Sequence, residues 1–249
     1  QLAARGAARG QQRRRAAENL LRSGYIDEGM AHLREVLAAV GIDFPETLPS
    51  TLAAVLFRRA ELRVRGLGFV AKAAEKGSPA DLRRVDVCWS AAKGLGMVDS
   101  LRGAYFQVRA LLFSLAAGDP YRVSRSLSLE MGFVATAGPT VHARVEELRH
   151  AAQTTADRSH HPHAFAMVAA MSGVTAFLEG RFRDALPLLT DGEHQLRTRC
   201  VGCSWEIGST ATFHLWALWW TGEYRLLCER SPALVREAEE RGDRYFATN

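Results

Sequence analysis

Apolar residues recur along this chain at intervals of three and four. Leu20, Leu21 and Gly24 are followed by Met30, Leu33, Val36, Leu37 and Val40, and then by Leu52, Val55, Leu56 and Leu62. That spacing gathers side chains onto one face of an α-helix, and the strict alternation expected of a strand is nearly absent. The pattern predicts helices near 1–23, 27–40, 50–65, 79–97, 100–117, 120–137, 139–157, 162–179, 182–199, 204–221 and 232–241, with another beginning near 244. The expected fold class is all-α, with about eleven to twelve helices.

Local chemistry sharpens the boundaries. Ser78-Pro79, Asp119-Pro120, Gly138-Pro139, His161-Pro162 and Ser231-Pro232 each place proline where a first helical residue belongs, since the N–H it lacks would be unpaired there. Ser78 and Asp81 have the spacing of a capping box. Pro187 falls at the end of the first turn of the 182–199 helix, where it bends the helix at most slightly. Gly24, Gly118, Gly180 and Gly222 each end a helix in the left-handed conformation, with an aromatic residue soon after to pack into the joint. Residues 41–49 and 66–77 read as irregular connectors. Antiparallel pairs of this kind cannot bury their apolar faces alone and stack on the next pair. The expectation is a right-handed α-solenoid of helix hairpins, a superhelix like that of tetratricopeptide repeats, forming a single segment over 1–249.

Composition adds constraints rather than a function. The 249 residues are 47% hydrophobic and 24% charged, and no apolar run reaches the roughly 18 residues that span a bilayer. No signal-peptide pattern precedes the first helix, so a cytoplasmic protein with free thiols at Cys88, Cys200, Cys203 and Cys228 is expected. The chain starts at Gln1 and stops at Asn249 as a new apolar pattern begins, and so reads as part of something longer, truncated at both ends. The net charge of +5 is carried mostly by arginine, a bias that GC-rich bacterial genomes also produce. Arg5, Arg9, Arg13, Arg14, Arg15 and Arg22 are spread over several helix faces, which argues for a solvated surface and against a nucleic-acid stripe.

Three groups of residues invite a chemical reading. Cys200 and Cys203 form a CxxC, and an antiparallel hairpin of 162–179 with 182–199 would bring His160, His161 and His163 near them. A tetrahedral Cys2His2 zinc site and a redox pair are thus both conceivable. The competing reading is an interhelical turn made by Gly202 with Ser204 capping the next helix, and no metal ligands are assigned. Phe213, Trp216, Ala217 and Trp220 share one helix face and read as core, as does Trp89. Trp219 lies off that face and is the aromatic expected to meet a partner. Glu146, Glu147, Glu237, Glu239 and Glu240 read as charged faces. With no phosphate loop, dinucleotide fingerprint, kinase signature or nucleophile elbow in the chain, no catalytic or cofactor-binding residue is assigned and the segment is not expected to be an enzyme.

The stretch FLEGRFRDAL at 177–186 resembles the helix-turn-helix joint of tetratricopeptide repeats, with weaker versions at 23–31 and 222–226. The stretches RRAAENLLRSGYIDEG at 14–29, LREVLAAVG at 33–41, DVCWS at 86–90, GDPYR at 118–122, AFLEGRF at 176–182, RCVG at 199–202 with Trp205 and Glu206, and REAEERGD at 236–243 resemble the helical-repeat region of a bacterial family. Its members are large signalling proteins that join a serine/threonine kinase domain, an AAA-type signal-transduction ATPase module and a long repeat region. Cys203 lies outside that pattern. The resemblance implies a sensor and protein-interaction module that regulates an upstream ATPase and kinase. It would bind a protein, a peptide or a small effector on a concave face, ATP being bound only in other domains and neither nucleic acid nor membrane being a partner. A second reading is the inducer-binding repeat region of a MalT-like transcription regulator, and a third is a zinc-stabilised adaptor.

Overall fold

The computed structural model describes residues 2–72, 78–96 and 98–248, with side chains from residue 10 onward. Gln1, residues 73–77 of the second connector, Met97, Asn249 and the side chains of Arg5 and Arg9 lie outside the described residues. Among those described there are twelve α-helices and no strand. The chain groups into two compact units, Gln1–Asp119 and Pro120–Asn249.

The first unit contains α1 (Leu2–Arg22), α2 (Ile26–Ala38), α3 (Leu48–Arg65), α4 (Pro79–Gly96) and α5 (Ser100–Ala117). Helices α1 and α2 form one hairpin and α4 and α5 another, with α1 packed on α4, while α3 packs on α5. The core includes Leu33, Val36, Leu37, Val55 and Leu62, which the periodicity selects, together with Val85, Phe106 and Leu111, and Trp89 is buried here as expected. Leu52 and Leu56, on the same periodic pattern of α3, are instead 49% and 61% exposed. The connector expected over 41–49 is shorter than its prolines suggest, because α3 already starts at Leu48. Thr47 caps it: its hydroxyl accepts the Ser50 N–H at 3.3 Å while the Ser50 hydroxyl accepts the Thr47 N–H at 3.2 Å, and Pro49 fits in the first turn.

The second unit contains α6 (Pro120–Ala135), a 3-10 turn (Pro139–Val141), α7 (His142–Ser159), α8 (Pro162–Leu178), α9 (Phe182–Arg199), α10 (Ser204–Thr221), α11 (Tyr224–Glu240) and α12 (Arg244–Thr248). Its packing follows one rule. Helix α6 packs on α8, α8 on α10 and α10 on α12, while α7, α9 and α11 each pack between successive members of that row. This is the nearest-neighbour stacking of hairpins on which solenoids are built.

The joints repeat too. After α1, α9's predecessor α8 and α10, a glycine at φ of 84° (Gly24), 80° (Gly180) or 79° (Gly222) turns the chain. The next N–H, from Tyr25, Arg181 or Glu223, returns 2.9 Å to the carbonyl of Leu20, Ala176 or Leu218. That Schellman geometry satisfies carbonyls that would otherwise be left bare, and it needs a residue without a Cβ clash. In the 177–186 joint Phe177 and Phe182 meet at 5.1 Å and Ala185 is fully buried.

Prolines at 79, 120 and 162 open α4, α6 and α8 as expected, whereas two others do not open α-helices. Pro139 opens only the 3-10 turn, and α7 follows from His142. Pro232 sits inside α11, which is already running from Tyr224, so the helix expected at 232–241 is a full turn and more longer. There the Ser231 hydroxyl donates back to the Leu227 carbonyl at 2.5 Å, one turn earlier, while the carbonyl of Cys228 is the one that Pro232 has no N–H to serve. Pro187 is accommodated within α9 without breaking it.

Candidate functional site

The CxxC is a plug rather than an exposed pair. Gly202, at φ 74°, turns the chain as expected, but the N-cap position of α10 is taken by Cys203 and Ser204 is the first helical residue. Cys203 is 4% exposed, packs with Ala166, Ala170 and Leu196, and its Sγ lies 3.4 Å from the Leu196 carbonyl. Burial, followed by the nearby Glu206 carboxylate, pushes the Cys200 thiol above its ordinary value. The histidines turn to other partners. His160 is the left-handed cap of α7, His161 stacks on Tyr121 at 4.0 Å, and His163 reaches the Tyr121 hydroxyl with Nδ1 at 3.2 Å and Glu206 with Nε2 at 3.6 Å. No group of three or more His, Cys, Asp or Glu among the described residues is arranged to hold a metal ion.

These environments predict an order of thiol alkylation at mildly basic pH. Cys228 is exposed and reacts first, and half-buried Cys200 follows slowly. Cys203 is buried and reacts only when the chain unfolds, as does Cys88, where burial also pushes the thiol up to about 12. Peptide mapping after timed iodoacetamide treatment reads this directly; rapid modification of Cys203 in folded protein would contradict the plug.

Two arginines of the N-terminal cluster are engaged with the protein's own side chains. Arg13 pairs with Glu35 at 3.7 Å, and Arg14 is turned toward Glu18 and Ser90. Glu146 and Glu147 form ion pairs with Arg149 and Arg144 one turn away on α7. No described helix is long and apolar enough to cross a membrane.

Three exposed aromatics cluster at the α10–α11 joint. Trp219 is 59% exposed and meets Tyr224 edge-on at 5.5 Å. Trp220, which shares the Phe213 and Trp216 face, is not core: it is 64% exposed and stacks on Phe182 at 5.4 Å. It lies in the last turn of α10, where the neighbouring α9 begins at Phe182, so a face that is half-buried at Phe213 and Trp216 and closed at Ala217 opens to solvent at its end. Phe177, Phe213 and Trp216 continue this aromatic row inward at centroid separations of 5.1 to 6.1 Å.

Trp219 also borders a cavity of about 320 Å³ between α10, α11 and α12. Its walls include Leu215 and Trp216 from α10, Leu234 and Val235 from α11, and Phe246 from α12. Phe246 can lie over α10 because residue 208 is glycine; a Cβ there would stand 2.5 Å from the ring. Charge enters from one side only. Glu237 accepts from Arg197 twice, at 3.1 and 2.9 Å, and from Arg241, and these bonds, those of Arg197 first, hold its carboxyl below the usual carboxylate range. Arg197 also donates to buried Glu193 at 2.8 Å, and Arg230 does so at 2.7 Å. Beside this network His214 is buried, and burial, reinforced by Arg230, lowers its pKa to about 4, so it is neutral at ordinary pH.

Sequence reasoning singled out Trp219 and missed the cavity and the ion network. The Arg197–Glu237 pair joins two helices far apart in sequence, and periodicity carries no signal for it. Comparison with family models, curated proteins and solved structures finds no match.

Proposed function

We propose that this chain is a non-catalytic helical-repeat module that senses a partner and passes its occupancy to other domains of the same polypeptide. The observation that carries the reading is the cluster of Trp219, Trp220 and Tyr224, 59%, 64% and 54% exposed, at a single helix joint. Large aromatics left in water gain most when a partner covers them, and tryptophan and tyrosine dominate the energy of interfaces. Stacked hairpins suit transmission, because each contacts only its neighbours and a shift at one is felt by the next. The resemblance described above supports an ATPase module and a serine/threonine kinase as the regulated domains of a bacterial signalling protein in the cytoplasm.

The test uses the native polypeptide, recovered from its source cells with an antibody to this segment. Mass-spectrometric sequencing of flanking peptides is expected to find kinase and ATPase sequence upstream. A native chain of this length alone would leave a free-standing adaptor and end the signalling reading. In the same polypeptide, Trp219→Ala is expected to weaken partner cross-linking about tenfold or more, with thermal melting unaltered. Undiminished cross-linking would remove this aromatic edge from the interface. The cavity beside Trp219 favours, as a second reading, a module whose partner is a small effector, as in inducer-binding repeat regions of MalT-like regulators.

A further inference from the structure

We infer that the cavity between α10, α11 and α12 binds a small amphipathic anion, an apolar body of aromatic size ending in a carboxylate or a similar group. This deepens the effector reading above and rests on it for its biological meaning. The body follows from the walls. A cavity of about 320 Å³ lies at the small end of ligand sites, and Trp216, Trp219 and Phe246 offer ring faces and edges to a planar group.

The charge follows from the rim. Arg197, Glu237 and Arg241 are the charged residues that line the cavity among the described residues. They belong to a network in which Arg197, Arg230 and Arg241 share the two carboxylates of Glu193 and Glu237, leaving one positive charge uncompensated. Arg197 uses all three of its nitrogens within that network. Arg241 uses only Nη1, toward a Glu237 oxygen that already accepts from Arg197. Its Nε and Nη2 have no protein acceptor among the described residues. Guanidinium recognises a carboxylate through two parallel N–H donors, and Arg241 stands at the cavity with such donors to spare. A cation is disfavoured here because both oxygens of Glu237 are already engaged by arginine.

Phenylbutyrate, phenylbutanol and phenylbutylamine share one apolar body and differ in charge, and calorimetric titration of each into the full native protein tests the assignment. The carboxylate is expected to bind about tenfold more tightly than the alcohol, as a hydrogen bond to a charged group implies, and the amine most weakly. Arg241→Met keeps the stem of an exposed side chain and is expected to bring the carboxylate down to the alcohol. Ala247→Trp fills the cavity from α12 and is expected to abolish binding of all three, with a melting curve confirming that each variant is folded. Equal affinities, selectivity that survives Arg241→Met, binding undiminished in Ala247→Trp, or no binding of any probe would each overturn the inference. Partner cross-linking through Trp219 is measured without these probes, so its loss or survival judges the interaction reading separately.

Discussion

Phe106→Ala is expected to lower the unfolding free energy by about 3–5 kcal/mol, the range for deleting a fully buried aromatic and leaving its cavity. Phe106 is completely buried in α5 and meets Phe44 at 5.9 Å and Tyr105 at 4.9 Å. Phe44 belongs to the irregular connector between α2 and α3, a stretch with no helical ladder to hold it. Two cations cover its ring, Arg34 at 4.6 Å and Arg102 at 5.2 Å, and Arg102 also donates to the Pro45 carbonyl at 2.8 Å and the Glu46 carbonyl at 2.5 Å. Removing the Phe106 ring therefore leaves a void and also loosens the anchor of the connector. Urea denaturation followed by far-ultraviolet circular dichroism is expected to show a lower midpoint for the first unit, with Phe57→Ala as control. Phe57 is 64% exposed, and its loss should stay within about 0.5 kcal/mol of no effect. A Phe106→Ala change as small as the control would mean that the connector is held by its arginines alone.

What could be read in advance follows the range of the forces involved. Helix positions and left-handed glycines depend on neighbours within one or two turns, and those were legible, including α9 and α10 to the residue. The aromatic after the turn packs into the 177–186 joint, where Phe182 meets Phe177, but Tyr25 and Tyr224 stay half exposed. Pro232 misled because the rule that proline opens helices assumes no helix is already running, whereas the Gly222 joint had started α11 eight residues earlier at Tyr224. Trp220 misled because a helix face is buried only as far as its neighbour extends, and α9 begins opposite it, at Phe182. At the candidate site Trp219 was visible as an aromatic off the packed face. The cavity was not, since it requires Phe246 of the short α12 to lie across Gly208 of α10. The charge network was equally hidden: Glu237 looks like one of several solvated acids until α9 brings Arg197 to it.

The second large effect concerns a residue that composition would invite one to replace. Alanine is favoured over glycine in a helix interior by about 1 kcal/mol, so Gly10→Ala in α1, where an added Cβ meets nothing within 4 Å, is expected to be neutral or stabilising. Gly192→Ala in α9 is expected to have the opposite sign and to cost about 1–3 kcal/mol, the range for forcing atoms into a packed interior. The Cβ at 192 would stand 2.5 Å from the Cα and 2.6 Å from the backbone nitrogen of Ala170 in α8. Those are main-chain atoms of a helix, which cannot swing aside as the tip of a side chain would. Close by, Gly173 of α8 similarly receives Leu189 of α9, whose Cγ would be 2.6 Å from an added Cβ. The two helices thus touch through reciprocal glycines, and the contact is relieved only by moving them apart. Separation would also loosen the adjoining cluster of Ala166, Ala170, Leu196 and Cys203, through which the α9–α10 turn is seated. Thermal melts of the two alanine variants supply the test. A stabilised Gly192→Ala would show that α8 and α9 do not approach this closely, whereas a destabilised one with faster Cys203 alkylation would locate the damage at the turn that leads into α10.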